Sequence, residues 1–406
     1  MTTGAVRARV IVTIFLYGEE LPVSPTIDAV LQNAVDSGTM PNVVAIAADR
    51  NGVIYEGAAG SRVAGGDDPV SPDTHFRIMS MTKMAATVAA LQQVEKGTLD
   101  LEAPVDTYRP EFADVQVLEG FDGDVPRLRP PARRATVKQL ITHTAGLSYW
   151  FWNEDITRWQ SVTGTPNVLS GSNVVFSAPM VADPGTKYEY GINTDWLGKV
   201  IEAASGMTLD VAIKDGITGP LGMDETSFAP TDKQRANLSA LHVKGEDGRW
   251  ADIGEVLPAS PEYYAGGHGL HSTPRDYLKF QQALLRGGTF EGTTILDRST
   301  VDAAFTNQIG HLDFPAAIDT ADPASTFGFY PGPGYKWGYG LLLNTADVPG
   351  MRRAGSGAWA GLLNTHFWVD RTTGVTGAIY SQFLPFVPEE ALTVYADFEK
   401  ALYATL

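Results

Sequence analysis

The sequence predicts an α/β fold: an antiparallel sheet flanked by helices and assembled from both ends of the chain, with a mainly helical domain inserted between them. Three observations predict it. Strand-like runs cluster near residues 43–57 and again beyond residue 338. A helical pattern accompanies each cluster, and the stretch between them reads as helical pieces joined by loops. The expected division is a tail over 1–24, an α/β domain formed by 25–103 and 261–406, and a mainly helical domain over 104–260.

The elements follow in order. After Pro25, the residues Ile27, Val30, Leu31 and Val35 share one helical face, so 26–35 reads as a helix. Val43–Ala47 and Val53–Gly57 are strand-like, and Arg50-Asn51-Gly52 between them is a good hairpin turn. A helix is expected over Ser80–Lys96, stopped by Gly97 as a left-handed cap. Residues 117–134, rich in glycine, proline and charge, read as a surface excursion. Val137–Thr142 reads as a short helix. Thr194–Ser205 reads as a longer one, with Leu197, Val200, Ile201 and Ala204 at helical spacing and Gly206 as its stop. Strand-like runs return at Gly338–Leu343, Leu362–Asp370 and Val375–Phe383, the last two joined by a turn at Arg371–Gly374. Pro388–Tyr403 reads as an amphipathic helix. The cleft between the two units is the natural place for a site.

Composition removes several function classes. With 406 residues, 44% of them hydrophobic, the chain can bury a sizeable core. A formal net charge of -17 gives a surface that repels nucleic acid and anionic membranes, so neither is expected as a partner. The absence of cysteine excludes disulfides, thiol catalysis and cysteine metal sites. Arg7 and Arg9 ahead of the apolar run Val10–Tyr17 loosely resemble the start of a secretory signal. Gly18–Pro22 then offers no small-x-small cleavage site, and the run is too short to span a bilayer. A soluble, cytoplasmic protein is expected, of unknown oligomeric state.

The chemistry concentrates in three segments. In Phe76-Arg77-Ile78-Met79-Ser80-Met81-Thr82-Lys83, Ser80 and Lys83 are three residues apart at a helix start, so their side chains share a face. A serine hydroxyl needs a base to take its proton, and a lysine made neutral by burial can be that base. The same spacing also fits a serine that merely caps a helix. In Asp183–Asn193, Tyr190 follows a Pro-Gly turn and precedes a helix, where it could point into a cleft as a proton acceptor, or simply pack. In Gly355–Leu362, small residues let a strand approach a substrate closely, so that an N–H there could complete an oxyanion hole with that of Ser80.

Other constellations are weaker. No serine has the Gly-x-Ser-x-Gly setting of an α/β-hydrolase. Only His268 and His271 among the seven histidines are spaced to share a metal, and lining the cleft or packing is the simpler account of them; no metal and no cofactor is expected. The aromatic run Tyr149-Trp150-Phe151-Trp152 reads either as core or as the wall of an acyl or alcohol pocket.

The order of five segments resembles the class C β-lactamase-like serine hydrolases, particularly the family VIII carboxylesterases. These are Ser80–Lys83, Leu140–Leu147, Pro184–Tyr190, Gly266–Leu270 and Trp359–Gly361. Val117–Asp122 and Tyr190–Trp196 look closer still to a branch that includes a fungal statin side-chain acyltransferase. The resemblance spans residue 25 onward and implies a β-lactamase/penicillin-binding-protein-like fold. It implies a nucleophile at Ser80, a proton-accepting pair of Lys83 and Tyr190, and oxyanion donors at the N–H groups of Ser80 and Leu362. Two departures stand out. Ile192 occupies the asparagine position of Tyr-x-Asn, with Asn193 one residue later, and Trp359 replaces the lysine of Lys-Thr-Gly that attracts a β-lactam carboxylate.

The expectation is therefore a serine carboxylesterase acting on a small-molecule ester, short-chain or hydrophobic. Substrate contacts are expected from Tyr149, Trp150, Trp152, Asn193, Asp195, His268, Trp359 and Gly361. The first alternative is an acyltransferase using an alcohol acceptor. Further alternatives are a weak β-lactamase, an amide or D-peptide hydrolase, and a covalent penicillin sensor.

Overall fold

The computed structural model describes residues 26–315 and 334–406, together with the backbone of the strand pair Ala317–Ile318 and Phe327–Gly328. The expected tail over 1–24, with its apolar run, lies outside the described residues. Among the described residues, no helix is long and apolar enough to cross a membrane.

The chain opens with α1 (Ile27–Asp36), capped by the Thr26 hydroxyl, which accepts from Ala29 N at 3.3 Å. Strands β1 (Asn42–Asp49) and β2 (Val53–Gly60) follow as a hairpin. Next comes α2 (Thr82–Glu95), then a hairpin of β3 (Val117–Asp122) and β4 (Val125–Arg129), and α3 (Val137–Ile141). The later positioning elements are α4 (Asn193–Ser205) and α5 (Pro274–Leu285), with strands β5 (Tyr335–Trp337), β6 (Leu342–Asn344), β7 (Gly357–Gly361), β8 (Thr365–Asp370) and β9 (Val375–Tyr380). The last is α6 (Glu389–Tyr403).

Seven strands form one antiparallel sheet in the order β5-β6-β7-β8-β9-β1-β2, so the two ends of the chain meet where β9 pairs with β1. Strand β1 explains the layering. Its side chains alternate between faces, and both sets are buried: Val44, Ile46 and Ala48 join one core, Val43, Ala45 and Ala47 another. The first core holds α2, α5 and the helical segments. The second lies under α1 and α6, around Trp368, Tyr395 and Phe398. Helix α2 has 12 of its 14 residues buried, so it runs through the interior with no solvent face.

This is a β-lactamase/penicillin-binding-protein-like fold, an antiparallel sheet with helices. Three local expectations need correction. Residues 117–134 are not an open excursion but contain the β3–β4 hairpin, whose register shifts between Leu118 and Gly120 and so breaks the two-residue alternation. Residues 338–343 are not one strand: β5 ends at Trp337, and Gly338 N bonds Leu341 O in a turn before β6. The strand expected over 362–370 starts at Thr365, and the glycine-rich stretch before it is itself the strand β7.

Candidate active site

Ser80 sits in a single 3₁₀ turn, Met79–Met81, that runs directly into α2. No side chain caps that start, so Ser80 is not a capping serine. Met79 has φ of 45°, a left-handed conformation that costs a non-glycine residue about 1–3 kcal/mol. Packing against Leu241 and Leu363 holds it there. Strand β7 lies against this turn because Gly361 permits it: a Cβ at that position would stand 2.3 Å from Ile78 O.

Lys83 follows one helical turn later and is 1% exposed. Its Nζ stands 3.0 Å from Ser80 Oγ, donates to Gly267 O at 2.8 Å, and lies 3.1 Å from Tyr149 OH. Burial pushes its pKa down to about 7, against the opposing pull of Asp195. A neutral lysine has two protons. With these given to Gly267 O and Tyr149 OH, its lone pair faces Ser80 Oγ.

Tyr190 stands on the other side of the serine. Its hydroxyl is hydrogen-bonded to Ser80 and accepts from Trp359 Nε1 at 3.1 Å. Burial raises its pKa, and those two hydrogen bonds partly oppose the rise. Lys83 does not bond the Tyr190 hydroxyl; its Nζ lies 4.7 Å from the ring centroid, over the face. The serine hydroxyl therefore links the two groups expected to act as a pair.

Behind Lys83 is a buried polar cluster of Asp195, Tyr149 and His268. Asp195 was expected to touch substrate, yet it is fully buried on the first turn of α4. Its Oδ1 accepts from Gly267 N at 3.0 Å and its Oδ2 from Tyr149 OH at 3.4 Å. Burial raises its pKa and the nearby Lys83 opposes that rise. Tyr149 is likewise no pocket wall; its hydroxyl bridges Lys83 and Asp195. His268 stands 3.8 Å from Asp195, and burial pushes its pKa down to about 3. His268 and His271 line a second cavity, away from Ser80. Asn193 is fully buried, donating to Leu147 O at 3.0 Å and Glu189 O at 3.2 Å and standing 3.1 Å from His143 Nδ1. The Gly266-Gly267-His268-Gly269 run carried a readable signal, for a Cβ on Gly267 would meet Asp195 Oδ2 at 2.5 Å.

The cleft itself is apolar, about 1050 Å³ counting its open mouth. Its lining includes Ser80, Phe151, Trp152, Tyr190, Trp359 and Leu362. Trp150 packs edge-on against Phe151 at 4.9 Å instead of lining it. Leu362 follows the last residue of β7, so its N–H is outside the strand ladder, and the Ser80 N–H lies in the first turn of its helix, where no intrahelical acceptor exists. Among the described residues no group of three or more histidines and carboxylates could hold a metal ion.

Comparison with known proteins gives the family. The profile described as Beta-lactamase matches residues 27–402. The chain belongs to the beta-lactamase family. Within it, a protein named lovastatin esterase from Penicillium rubens is 33% identical over 367 residues, covering 86% of this chain and 90% of that one. Monacolin J acid methylbutanoyltransferase from Aspergillus terreus is 30% identical, covering 93% and 95%. Among solved structures, a simvastatin synthase mutant from Aspergillus terreus aligns with a TM-score of 0.80 at 30% identity, covering 93% of this chain and 94% of that one. A protein titled EstCE1, a hydrolase with promiscuous acyltransferase activity, shares the fold with a TM-score of 0.75 at 21% identity, over 93% and 97%. This beta-lactamase-family chain thus resembles esterases and acyltransferases along nearly all its length.

Proposed function

We propose that the protein is a serine carboxylesterase working through an acyl-enzyme on Ser80. The observation that carries this reading is the approach of a buried, neutral-leaning Lys83 to within 3.0 Å of Ser80 Oγ at the mouth of an apolar cleft. Ser80 Oγ attacks the ester carbonyl as Lys83 Nζ takes its proton. The N–H groups of Ser80 and Leu362 receive the developing oxyanion. Tyr190 hands its proton to the departing alcohol, which leaves a phenolate beside the Lys83 ammonium, and takes a proton back from the water of the second step as Lys83 returns its own to Ser80 Oγ. Water then attacks the acyl-enzyme by the same route in reverse, freeing the acid and the serine. Trp152 and Trp359 wall the ester, while Tyr149 and Asp195 hold the lysine without touching substrate.

Two features support an ester over a β-lactam. Trp359 stands where penicillin-recognising enzymes carry a lysine, and Ile192 stands where they carry the asparagine of Tyr-x-Asn. The cleft therefore lacks the cation that the lysine position would offer an anionic substrate, and at Ile192 an apolar side chain replaces a polar amide. A second reading, acyl transfer to an alcohol, is favoured by the relatives named as acyltransferases, which share the same architecture. Products measured with and without added alcohol separate the two readings.

The direct test is hydrolysis of p-nitrophenyl butyrate by the wild type and Ser80→Ala, with mass spectrometry of the intact protein after brief mixing. The wild type gains the mass of the acyl group and turns over. Ser80→Ala gains nothing and loses activity on the scale of about 10⁶-fold seen for triad serines. A folded Ser80→Ala protein with wild-type turnover sinks the assignment.

A further inference from the structure

We propose that the cleft continues past Ser80, round the outer edge of β7, into an apolar chamber under α6, and that this chamber takes the acyl chain of a medium-chain ester. The inference rests on the esterase reading and adds the substrate class.

The opening exists because β6 covers only half of β7. It pairs at Leu342↔Ala358 and Leu343↔Gly357 and goes no further, so among the described residues no strand pairs with the outer edge of Trp359, Ala360 and Gly361 beside the nucleophile. The cavity uses that edge to change faces. On the catalytic side it touches Ser80, Tyr190 and Trp359, whose ring meets that of Tyr190 at 5.1 Å. The same cavity touches Ala358, Ala360, His366 and Tyr395. Those residues belong to the opposite face. Ala358 packs against the core of Trp368 and Tyr395, and Ala360 pairs across the ladder with His366, whose ring stacks on Tyr395 at 4.9 Å.

Strand β7 is thus bulky on one side only. Its sequence Gly357-Ala358-Trp359-Ala360-Gly361 puts a tryptophan toward the serine and two alanines toward α6. The alanines leave space that a leucine would fill.

The chamber suits an uncharged chain. Arg352 lines it but spends its guanidinium on Glu399, at 2.8 Å, and on the Tyr395 hydroxyl, also at 2.8 Å. Burial holds His366 neutral, its pKa pushed down to about 3. Leu392, Val387 and Phe386 supply apolar surface. The chain that enters is the acyl part. The alcohol leaves at the first step, whereas the acyl group stays bonded to Ser80 until water releases it at the second, and a passage around a strand edge suits the part that stays longer. Leu362, proposed to receive the carbonyl oxygen, lines the same passage and leads the adjoining chain into it. Packed layers stand roughly 10 Å apart, about the length of an extended octanoyl chain and several times that of an acetyl group.

The test compares kcat/KM for p-nitrophenyl acetate, butyrate and octanoate, and for ethyl and octyl acetate, in the wild type, Ala358→Leu and Leu392→Trp. The wild type should gain up to about fourfold per buried methylene, the fold-change equivalent of about 0.8 kcal/mol, along the acyl series. It should gain nothing from octyl over ethyl acetate. Both variants should keep acetate turnover within about twofold, which also reports correct folding, and lose about tenfold or more on octanoate. Octanoate no better than acetate in the wild type, an unchanged octanoate-to-acetate ratio in both variants, or a preference that follows the alcohol instead would each overturn the proposal. A wild type inert toward every ester, acetate included, is a different result, for it removes the esterase reading itself.

Discussion

Replacing Asp195 by asparagine removes a negative charge that never touches substrate yet acts on the group proposed to start the reaction. The Nζ–OH distance of 3.1 Å and the OH–Oδ2 distance of 3.4 Å bound the lysine–carboxylate separation at 3.1 plus 3.4, or about 6.5 Å. At an effective dielectric constant near 20, two unit charges at that separation interact by about 2.5 kcal/mol, or nearly two pKa units. The carboxylate favours the ammonium form, so its removal lowers the Lys83 pKa further. The asparagine dipole and the retained tyrosine offset part of this, which leaves an expected downward shift of about one to two units. The observable is the acidic limb of kcat/KM against pH for a p-nitrophenyl ester, read at the isosbestic wavelength so that ionisation of the product does not distort it. The wild-type limb should lie near the Lys83 value of about 7. In Asp195→Asn it should move to lower pH while the plateau falls, because a weaker base accepts the serine proton less readily. A limb that stays in place, or moves upward, refutes the view that Lys83 is the titrating base under the control of Asp195.

Three further outcomes follow from the same geometry. Tyr190→Phe removes the hydroxyl bonded to Ser80 and Trp359 and should lower kcat by about 10²–10⁴-fold, with thermal unfolding little changed; steady-state kinetics beside a melting curve checks both. Gly267→Ala places a Cβ 2.5 Å from Asp195 Oδ2 and 2.9 Å from Tyr149 OH, so it should cost about 1–3 kcal/mol of stability by overpacking and disturb the pH profile, measured by urea unfolding and rate. Arg352→Met strands the fully buried Glu399 carboxylate and should cost about 3–5 kcal/mol, whereas replacing Arg352 and Glu399 together by apolar residues should recover most of it in the same unfolding assay.

What could be read from the chain, and what could not, divides along physical lines. The fold was legible at both ends because β1 is a short unbroken apolar run bounded by the Arg50-Asn51-Gly52 turn, and because α1 and α6 carry one apolar face each, a pattern that periodicity detects directly. The β3–β4 hairpin escaped because Gly120, at φ 134°, and the register shift beside it destroy the alternation. For the site, the Ser80–Lys83 spacing is local geometry and survives in the sequence as such. Facing is not local. Asn193 and Asp195 follow Tyr190 closely and look as though they enter the same cleft, but the first turn of α4 is buried on every side, from Asn193 through Trp196. Tyr149 was misread for the same reason: an aromatic run announces apolar surface and does not disclose which hydroxyl meets a lysine from another helix.

The order in which the chain is made has a consequence of its own. Ser80 and Lys83 leave the ribosome long before the strand that faces them, and β1 waits for partners on the far side of the sequence, as in the bond from the Ser381 hydroxyl to Asn42 O across 339 residues. A half-translated chain carries the proposed nucleophile without the edge of β7, and so without the Leu362 N–H proposed to complete the oxyanion hole. Contacts so remote in sequence also make folding slow, and until β9 arrives β1 presents an apolar edge to other chains. Premature termination anywhere before residue 375 should therefore yield insoluble protein and no partial activity, and cooling during synthesis should raise the soluble fraction of the full chain by slowing association while β1 is unpaired.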